Sequence, residues 1–422
     1  MSDIPKANRV IHVPRRFVAD EWGGTETVIA ELLREQRRAG WAPEIHTSLA
    51  LSKVRRETWQ ELEIFRYPYC YPFVGLNATQ RKAMDKKGGN LLSFSLLWSL
   101  GRRPNVRLFH AHALKRMGGE VFTAARLRKK AFVATLHGGV FDVPKAELAQ
   151  LTEAQAGKFE WGRVFGAVLR SRRILHEADA VICVGRSEAE KAKTALGHDR
   201  VHHLGNGVDP ARFSDGDRAK FRAAKGLPEH AVVFSCISRF DPQKDQLTLI
   251  EAFDRIAGDR PEVQVMMAGP ATAAAYVAQL DKRISESPFR DRILKLDALD
   301  PTSGDMADAL AATDVFVLPS RHEPFGIVVL EAWCAERPVL VSRVGGLQHL
   351  VTEGRTGGFF DAGNAEELAA RMGEMADNAE QRAAWGRAGR EEAIGQHTWK
   401  QIAERTEEIY RDAEARAADR NG

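Results

Sequence analysis

The feature that most constrains this chain is an alternation of short apolar runs with amphipathic helical patterns, repeated in two series. The runs RVIHVP (Arg9–Pro14), RLFHAH (Arg107–His112), AFVATLH (Ala131–His137) and AVICVG (Ala180–Gly185) are short and apolar or β-branched. Helical patterns separate them. One, TETVIAELLREQRRAG (Thr25–Gly40), is amphipathic and stops at a glycine. Such an order gives a parallel sheet covered by helices on both faces. A polar, turn-rich stretch, NGVDPARFSDGD (Asn206–Asp217), closes the series. A second series follows: AVVFSCIS (Ala231–Ser238), VQVMMAG (Val263–Gly269), RILKLDA (Arg292–Ala298), DVFVLPS (Asp314–Ser320) and PVLVSRVGG (Pro338–Gly346). At 422 residues the chain exceeds what one hydrophobic core usually holds. The prediction is an α/β protein with two Rossmann-like, doubly wound domains, 1–213 and 214–398, facing across a cleft. A charged C-terminal helix, 399–422, is expected to pack on one domain or to cross back over both.

In open parallel sheets, ligands sit outside the carboxyl ends of the strands. Here those ends carry WGG, LHGG, SRFDPQK, PSRHEPFG and SRVGG, so glycine and charge collect where a ligand belongs. Gly23 and Gly24 lie between the first strand and the first helix. They read either as an anion seat at a helix N-terminus or as an ordinary tight turn. The dinucleotide fingerprint is absent, because no third glycine follows at its spacing. Arg239 offers a planar fork for phosphate oxygens and Lys244 a mobile point charge. Asp245 is expected to cap the helix that starts near Gln246. His137 stands at a strand end before two glycines, a position that favours function over packing.

RHEPFGIVVLEAW (Arg321–Trp333) holds two acids around a greasy run. Pro324 disfavours helical geometry at Glu323, which places that acid in the loop. The helix is expected to start near Phe325 or Gly326, leaving the N–H groups of Phe325, Gly326 and Ile327 unpaired and available to phosphate oxygens. Glu331 then falls among Val328, Val329, Leu330, Ala332 and Trp333. Burying that acid is costly without hydrogen bonds. A ribose or sugar hydroxyl pair would supply them, and so would a nearby arginine or backbone group.

Other polar features carry less. His110 and His112 share one strand face, but no carboxylate or third ligand lies at a recognisable spacing, and His202-His203 has the same weakness, so no metal site is expected. Asp215–Asp217 (DGD) reads as a polar linker. Cys70, Cys183, Cys236 and Cys334 lie far apart with no CxxC pair, which fits reduced, buried thiols of a cytoplasmic protein. Met1–Arg9 is polar and has no apolar core of a secretory signal. The longest greasy run, Asn90–Leu100, is too short for a spanning helix, which needs about 20 residues.

Taken together, these motifs are identified as those of a known family. EPFGIVVLE (Glu323–Glu331) resembles the E-x7-E motif of retaining glycosyltransferases of the GT-B fold, glycosyltransferase family 4 (GT4). SRFDPQK looks like the family's diphosphate loop, GNGVD (Gly205–Asp209) like its interdomain turn and GGTE (Gly23–Glu26) like its N-terminal glycine loop. GGLQHLVTEGRTGGFF (Gly345–Phe360) resembles a further family region, with His349 where a glutamate is usual. The matches run from residue 23 to residue 358 in the family's order. The resemblance implies transfer of a hexose from a nucleotide diphosphate, UDP or GDP, to an acceptor hydroxyl with retained configuration and no metal. It implies that Arg239 and Lys244 neutralise the departing diphosphate, helped by N–H groups at Phe325, Gly326, Ile327, Gly23 and Gly24. Glu323 would hold donor-sugar hydroxyls, Glu331 the ribose, and His137 the donor sugar near the reacting carbon, with Asn206 of the turn also at the donor.

Charge is unevenly spread. Residues 1–213 hold 35 Lys and Arg against 22 Asp and Glu, while the remainder holds 26 against 35. In the family the first domain holds the acceptor, so its excess of 13 positive charges fits an anionic one, such as a lipid-diphosphate-linked sugar of cell-surface polysaccharide synthesis. Within Arg81–Arg107 an apolar middle is flanked by basic clusters. It reads either as an interfacial helix on anionic lipid at the inner face of the plasma membrane or as a buried helix with solvated basic ends. Three other functions stay open: a sugar-nucleotide epimerase or other GT-B enzyme, a soluble-acceptor transferase, and an idle sugar-nucleotide-binding module. Nucleic acid is not an expected partner, because stacking aromatics at recognisable spacing are missing.

Overall fold

Strands that send apolar side chains to both faces need helices on both faces, and both predicted series fold in that way. The computed structural model describes residues 8–19, 22–86, 88–141, 157–300 and 303–422, so most of the stretch read for a signal lies outside it. The chain divides into two units. Unit 1 comprises Met1–Gly205 with Trp399–Gly422, and unit 2 comprises Asn206–Thr398.

Unit 1 is built on eight strands: β1 (Arg9–Val13), β2 (Ala42–Ser48), β3 (Arg56–Trp59), β4 (Leu62–Tyr67), β5 (Val106–Ala111), β6 (Ala131–Leu136), β7 (Ala180–Cys183) and β8 (Val201–His203). They lie in the order β3-β4-β2-β1-β5-β6-β7-β8. All neighbours are parallel except the β3–β4 hairpin. β2, β3 and β4, together with β8 and, in unit 2, the strand Gly357–Phe360, escaped the sequence reading; APEIHTS and RETW carry too many polar residues to stand out as strands, and β8 is only three residues long.

Unit 2 holds β9 (Val232–Ile237), β10 (Val263–Ala268), β11 (Ile293–Leu296), β12 (Val315–Leu318), β13 (Val339–Ser342) and β14 (Gly357–Phe360). Their order is β11-β10-β9-β12-β13-β14, parallel throughout. The two-residue period shows in the core. Val233 and Ile237 of β9 join Phe316 and Leu318 of β12 in one apolar layer, whereas Val232, Phe234, Val315 and Val317 join the layer on the opposite face.

The boundaries differ from those expected. Unit 1 ends at Gly205 rather than 213, because Val208 and Phe213 are apolar and buried in the unit 2 core, and Val208 N donates to His397 O at 2.7 Å. The C-terminal helix, Trp399–Asn421, is no separate element. It belongs to unit 1, where it packs against the helix Gly24–Arg38 and against β6 and β7, burying Trp399, Ile402, Ile409 and Tyr410. Arg107 clamps its Glu414 (Nη2–Oε2 2.8 Å), and Arg416 donates to Asp179 O at 3.1 Å. Asp217 is a helix cap as well as a linker residue, accepting from Lys220 N at 2.9 Å.

Candidate functional site

A crevice forms in a parallel sheet where adjacent strands send their chains in opposite directions. In unit 2 that point lies between β9 and β12, and the loops after these two strands carry Arg239, Lys244 and Glu323. Asp241 shapes the first loop. It accepts from Gln243 N (3.0 Å) and pairs with Arg239 (3.2 Å). Two bonds stitch the loops together, Arg321 N to Gln243 O at 2.8 Å and Gln243 Nε2 to His322 O at 2.9 Å. The Lys244 ammonium then pairs directly with the Glu323 carboxylate, both largely buried. Asp245 sits at the N-cap position of the helix Gln246–Ile256, as expected, but its backbone is left-handed (φ 47°) and it makes no backbone cap. Its carboxylate instead takes the Thr248 hydroxyl (2.7 Å) and the Arg321 guanidinium.

The loop after β13 presses on Glu323. Gly346 N donates to Glu323 O at 2.8 Å, and a Cβ on Gly345, whose φ is +47°, would lie 2.2 Å from that same oxygen. Only glycine permits this approach. The helix of the E-x7-E motif runs Ile327–Cys334, with Gly326 as a left-handed N-cap (φ 96°), one or two residues later than expected. The N–H groups of Phe325, Gly326 and Ile327 have no backbone acceptor among the described residues.

Glu331 lies half-buried in the second turn of this helix. Its side chain makes no hydrogen bond or ion pair with the described residues. Burial raises its carboxyl to about 7, opposed only by the field of Arg212. Among the described residues no arginine or backbone hydrogen bond to it is seen, Arg212 acting on it through its field, and the site answers the cost of burial by favouring the neutral acid. Asn206 is buried at the start of unit 2. His349 is exposed on a single turn, Leu347–Leu350.

Unit 1 has its own reversal point, between β1 and β5. A pocket of about 280 Å³ opens there, lined by Arg15, Arg16, Glu26, Lys86, His112 and His137 among others. Arg15 is committed to structure. Its guanidinium donates to the carbonyls of Met84, Asp85 and Lys86 (2.8–3.1 Å), closing the end of the helix Ala78–Lys86. Gly23 and Gly24 do lie at a helix N-terminus, but Gly23 is extended (φ −150°) and the anion seat is occupied. The Glu26 carboxylate accepts from the N–H groups of Gly23 and Glu26, and burial raises its pKa while Arg16, 3.8 Å away, opposes the rise.

His137 is the last link of a chain that sequence reasoning missed. It bonds His112 (Nε2 to Nδ1, 2.9 Å), His112 bonds His12 (Nε2 to Nδ1, 2.9 Å), and His12 Nε2 reaches Gln36 Oε1 at 2.9 Å. Gln36 continues to Tyr410 (3.2 Å), Tyr410 to His110 Nδ1 (2.6 Å), and His110 Nε2 to Thr135 (2.6 Å). The third histidine beside His110 and His112 is thus His12, one strand over in register with His110. The donor atoms of these three lie within 4.8 Å of one another, a spacing a metal ion could use, yet every one of their ring nitrogens is engaged in the chain. Burial pushes His12 down to about 3 and His137 to about 4, and lowers His110 and His112 well below the ordinary range. All four are neutral at pH 7. The only signal in the sequence was three histidines at consecutive β-strand ends.

Within Arg81–Arg107, the greasy run Asn90–Leu100 is part buried and part exposed. Leu91, Leu92, Leu96 and Leu100 are buried, whereas Phe94 and Trp98 stand 54% and 63% exposed. Phe94 meets Phe165 edge to face, and Phe159, Trp161, Val164 and Val168 are exposed nearby in sequence to it. Arg102 stacks over Trp98. Among the described residues no helix is long and apolar enough to cross a membrane.

Comparison with known proteins accounts for both halves. Residues 22–212 match the family model described as Glycosyltransferase Family 4, and residues 217–392 that described as Glycosyl transferases group 1. A D-inositol 3-phosphate glycosyltransferase of Streptomyces avermitilis is 32% identical over 96% of this chain and 89% of its own. An alpha-maltose-1-phosphate synthase of Mycolicibacterium smegmatis is 32% identical over 58% of this chain, and the match spans 66% of that protein, just under two thirds. Among solved structures, Anabaena Alr3699/HepE in complex with UDP and glucose superposes with a TM-score of 0.71 at 18% identity, covering 94% of this chain and 98% of that one. The chain belongs to the family 4, group 1 glycosyltransferases and is an enzyme of the GT-B fold.

Proposed function

We propose that this enzyme transfers a hexose from a nucleoside diphosphate to the hydroxyl of an anionic acceptor, with retention and without a metal ion. The observation that carries the reading is the Lys244–Glu323 pair at the β9/β12 reversal point, beside Arg239 and the open N–H groups of Phe325–Ile327. Breaking the glycosidic bond builds positive charge on the sugar and negative charge on the diphosphate. Arg239, Lys244 and the helix N-terminus stabilise the second charge, and they do so more in the transition state than before it. Glu323, held by Lys244 and by the Gly345-Gly346 loop, is placed to accept from donor-sugar hydroxyls. Glu331 takes ribose hydroxyls, and His137 keeps the role the family resemblance gives it, a contact to the donor sugar near the reacting carbon. No side chain among the described residues stands out as a protein nucleophile, so attack from the leaving-group face, with the departing phosphate taking the acceptor proton, accounts for retention. UDP and GDP are the favoured donors, since HepE is described with UDP and a relative of Mycolicibacterium smegmatis is named as GDP-mannose-dependent.

The acceptor reading rests on the basic first unit and on relatives named for phosphate-bearing acceptors. Exposed Phe94 and Trp98 beside Arg102 support docking of unit 1 on an anionic membrane from the cytoplasmic side. A donor panel of UDP-, GDP- and ADP-sugars, scored by hydrolysis and thermal shift, tests the reading. A response to one base and hexose is expected. Near-normal transfer by both Lys244→Ala and Glu323→Ala would overturn the site.

A further inference from the structure

We infer that Gln36 and Tyr410 act through His12 and His112 as positioning residues that hold His137 in its Nε2–H tautomer, leaving Nδ1 as a hydrogen-bond acceptor. This deepens the proposed role of His137 and rests on it.

The argument follows the protons from the amide. Gln36 donates from Nε2 to the Tyr410 hydroxyl at 3.2 Å, so its Oε1 can only accept, and the atom 2.9 Å away, His12 Nε2, must carry a hydrogen. A neutral His12 then presents a lone pair at Nδ1. His112 Nε2, 2.9 Å from it, must donate. A neutral His112 in turn presents a lone pair at Nδ1, and His137 Nε2, 2.9 Å away, must donate to it. Neutrality is secured by burial, which lowers His12 to about 3, His137 to about 4 and His112 well below the ordinary range. On the other arm the Tyr410 hydroxyl donates a hydrogen bond to His110 Nδ1, and His110 Nε2–H donates to Thr135 Oγ1.

No ring in this chain can turn over alone. Reversing one sets two hydrogens, or two lone pairs, face to face inside the protein, where a buried polar group without its bond is costly. The polarity is therefore a property of the whole chain. Its selector on the His137 arm is Gln36, the one member whose donor and acceptor atoms cannot exchange roles, since an amide nitrogen only donates and an amide oxygen only accepts. Gln36 and Tyr410 are both fully buried, and they come from the first and last helices of unit 1, so these two helices jointly set the chemistry of a ring on β6's far end. His137 itself is half-buried and lines the pocket, and its Nδ1 has no hydrogen bond to the described residues. An uncharged acceptor there takes a sugar hydroxyl and places no cation beside the positive charge that develops on the sugar.

The test is long-range ¹H–¹⁵N correlation on the full chain labelled at histidine, with the His137 signals assigned by their loss in His137→Asn. One Nε2–H tautomer at His137 is expected in the unaltered protein from pH 6 to 8. In Gln36→Leu and, separately, in Tyr410→Phe, an about even mixture of tautomers is expected. The turnover number then falls about twofold, the share of the acceptor form lost, while the donor KM holds. A dominant Nδ1–H form or a mixture in the unaltered protein overturns the inference without any variant. So does a single unchanged tautomer in Gln36→Leu. Normal transfer by His137→Ala would instead overturn the role given to His137 and leave the tautomer result standing.

Discussion

Glu331 is held at a cost that the empty enzyme carries, and Glu331→Gln measures it. Burial disfavours the charge of the folded carboxyl and raises its pKa to about 7, against an ordinary value of 4.5, opposed by the field of Arg212. A raised carboxyl pKa means that the folded state holds its proton longer than the unfolded chain does. Its contribution is thus fully present below about pH 4.5 and is lost as pH rises through 7. Glutamine imitates the neutral acid at every pH. At 1.36 kcal/mol per pKa unit, the variant gains about 3 kcal/mol over the unaltered protein at pH 8.5, but only about 1 kcal/mol at pH 5.5. For a unit of this size the gain corresponds to roughly 6–12 °C in Tm at the higher pH and roughly 2–4 °C at the lower. Parallel thermal and urea melts of the two proteins at both pH values, followed by a probe in unit 2, read the effect. Other titrating groups cancel in the difference. The variant should also bind UDP or GDP more weakly, since an amide is a poorer acceptor for two hydroxyls than a carboxylate. A gain that is equal at both pH values, or absent at pH 8.5, would refute the reasoning.

Three further outcomes follow from the same geometry. Lys244→Met strands the Glu323 carboxylate and should destabilise unit 2 by about 3–5 kcal/mol, with most of that recovered in Lys244→Met/Glu323→Gln although transfer stays lost; additive losses in urea melts would contradict the pairing. Gly345→Ala places a Cβ 2.2 Å from Glu323 O at φ +47°, so we expect at least about 3 kcal/mol of destabilisation and impaired transfer even where the variant folds, read by melts and donor turnover. In unit 1, His12 and His137 have folded values of about 3 and about 4, below their unfolded 6.5, so the unfolded chain takes up protons first and stability falls as pH drops from 6.5 toward 4, by up to about 1.4 kcal/mol per histidine per pH unit. Glu120, raised to about 8 by burial, works in the opposite sense, so urea melts of unit 1 in a Glu120→Gln background isolate the histidines; a flat profile between pH 6.5 and 5 would count against their burial as neutral rings.

How much of this was legible in the sequence depended on how far apart the cooperating residues lie. Most of the two sheets could be read because most of their buried parallel strands are local apolar runs, β2 with its polar APEIHTS being an exception. The diphosphate loop and the E-x7-E stretch could be read because each packs its chemistry into about a dozen consecutive residues. The pairing of Lys244 with Glu323 was half legible. Both were assigned to donor chemistry, but nothing in the spacing said that they would meet, since strand order β9-β12 and not chain order makes them neighbours. His12, Gln36, His112, His137 and Tyr410 lay beyond reach for the same reason in stronger form. A parallel sheet gathers strand ends that are a whole βα unit or more apart, and the helix bearing Tyr410 returns to unit 1 after all of unit 2 has been made. Local reading judged His110 and His112 by sequence spacing, found no third ligand, and set them aside, whereas register places His12 directly beside His110. Glu26 shows the converse failure: GGTE looked like an open anion seat, and the acid three residues on, itself part of the quoted motif, is what fills it. Conformation at a strand end can thus be inferred from a few residues, but the protonation state of a group placed there is decided by partners the topology supplies, and in this fold the chemistry of His137 is a consequence of strand order.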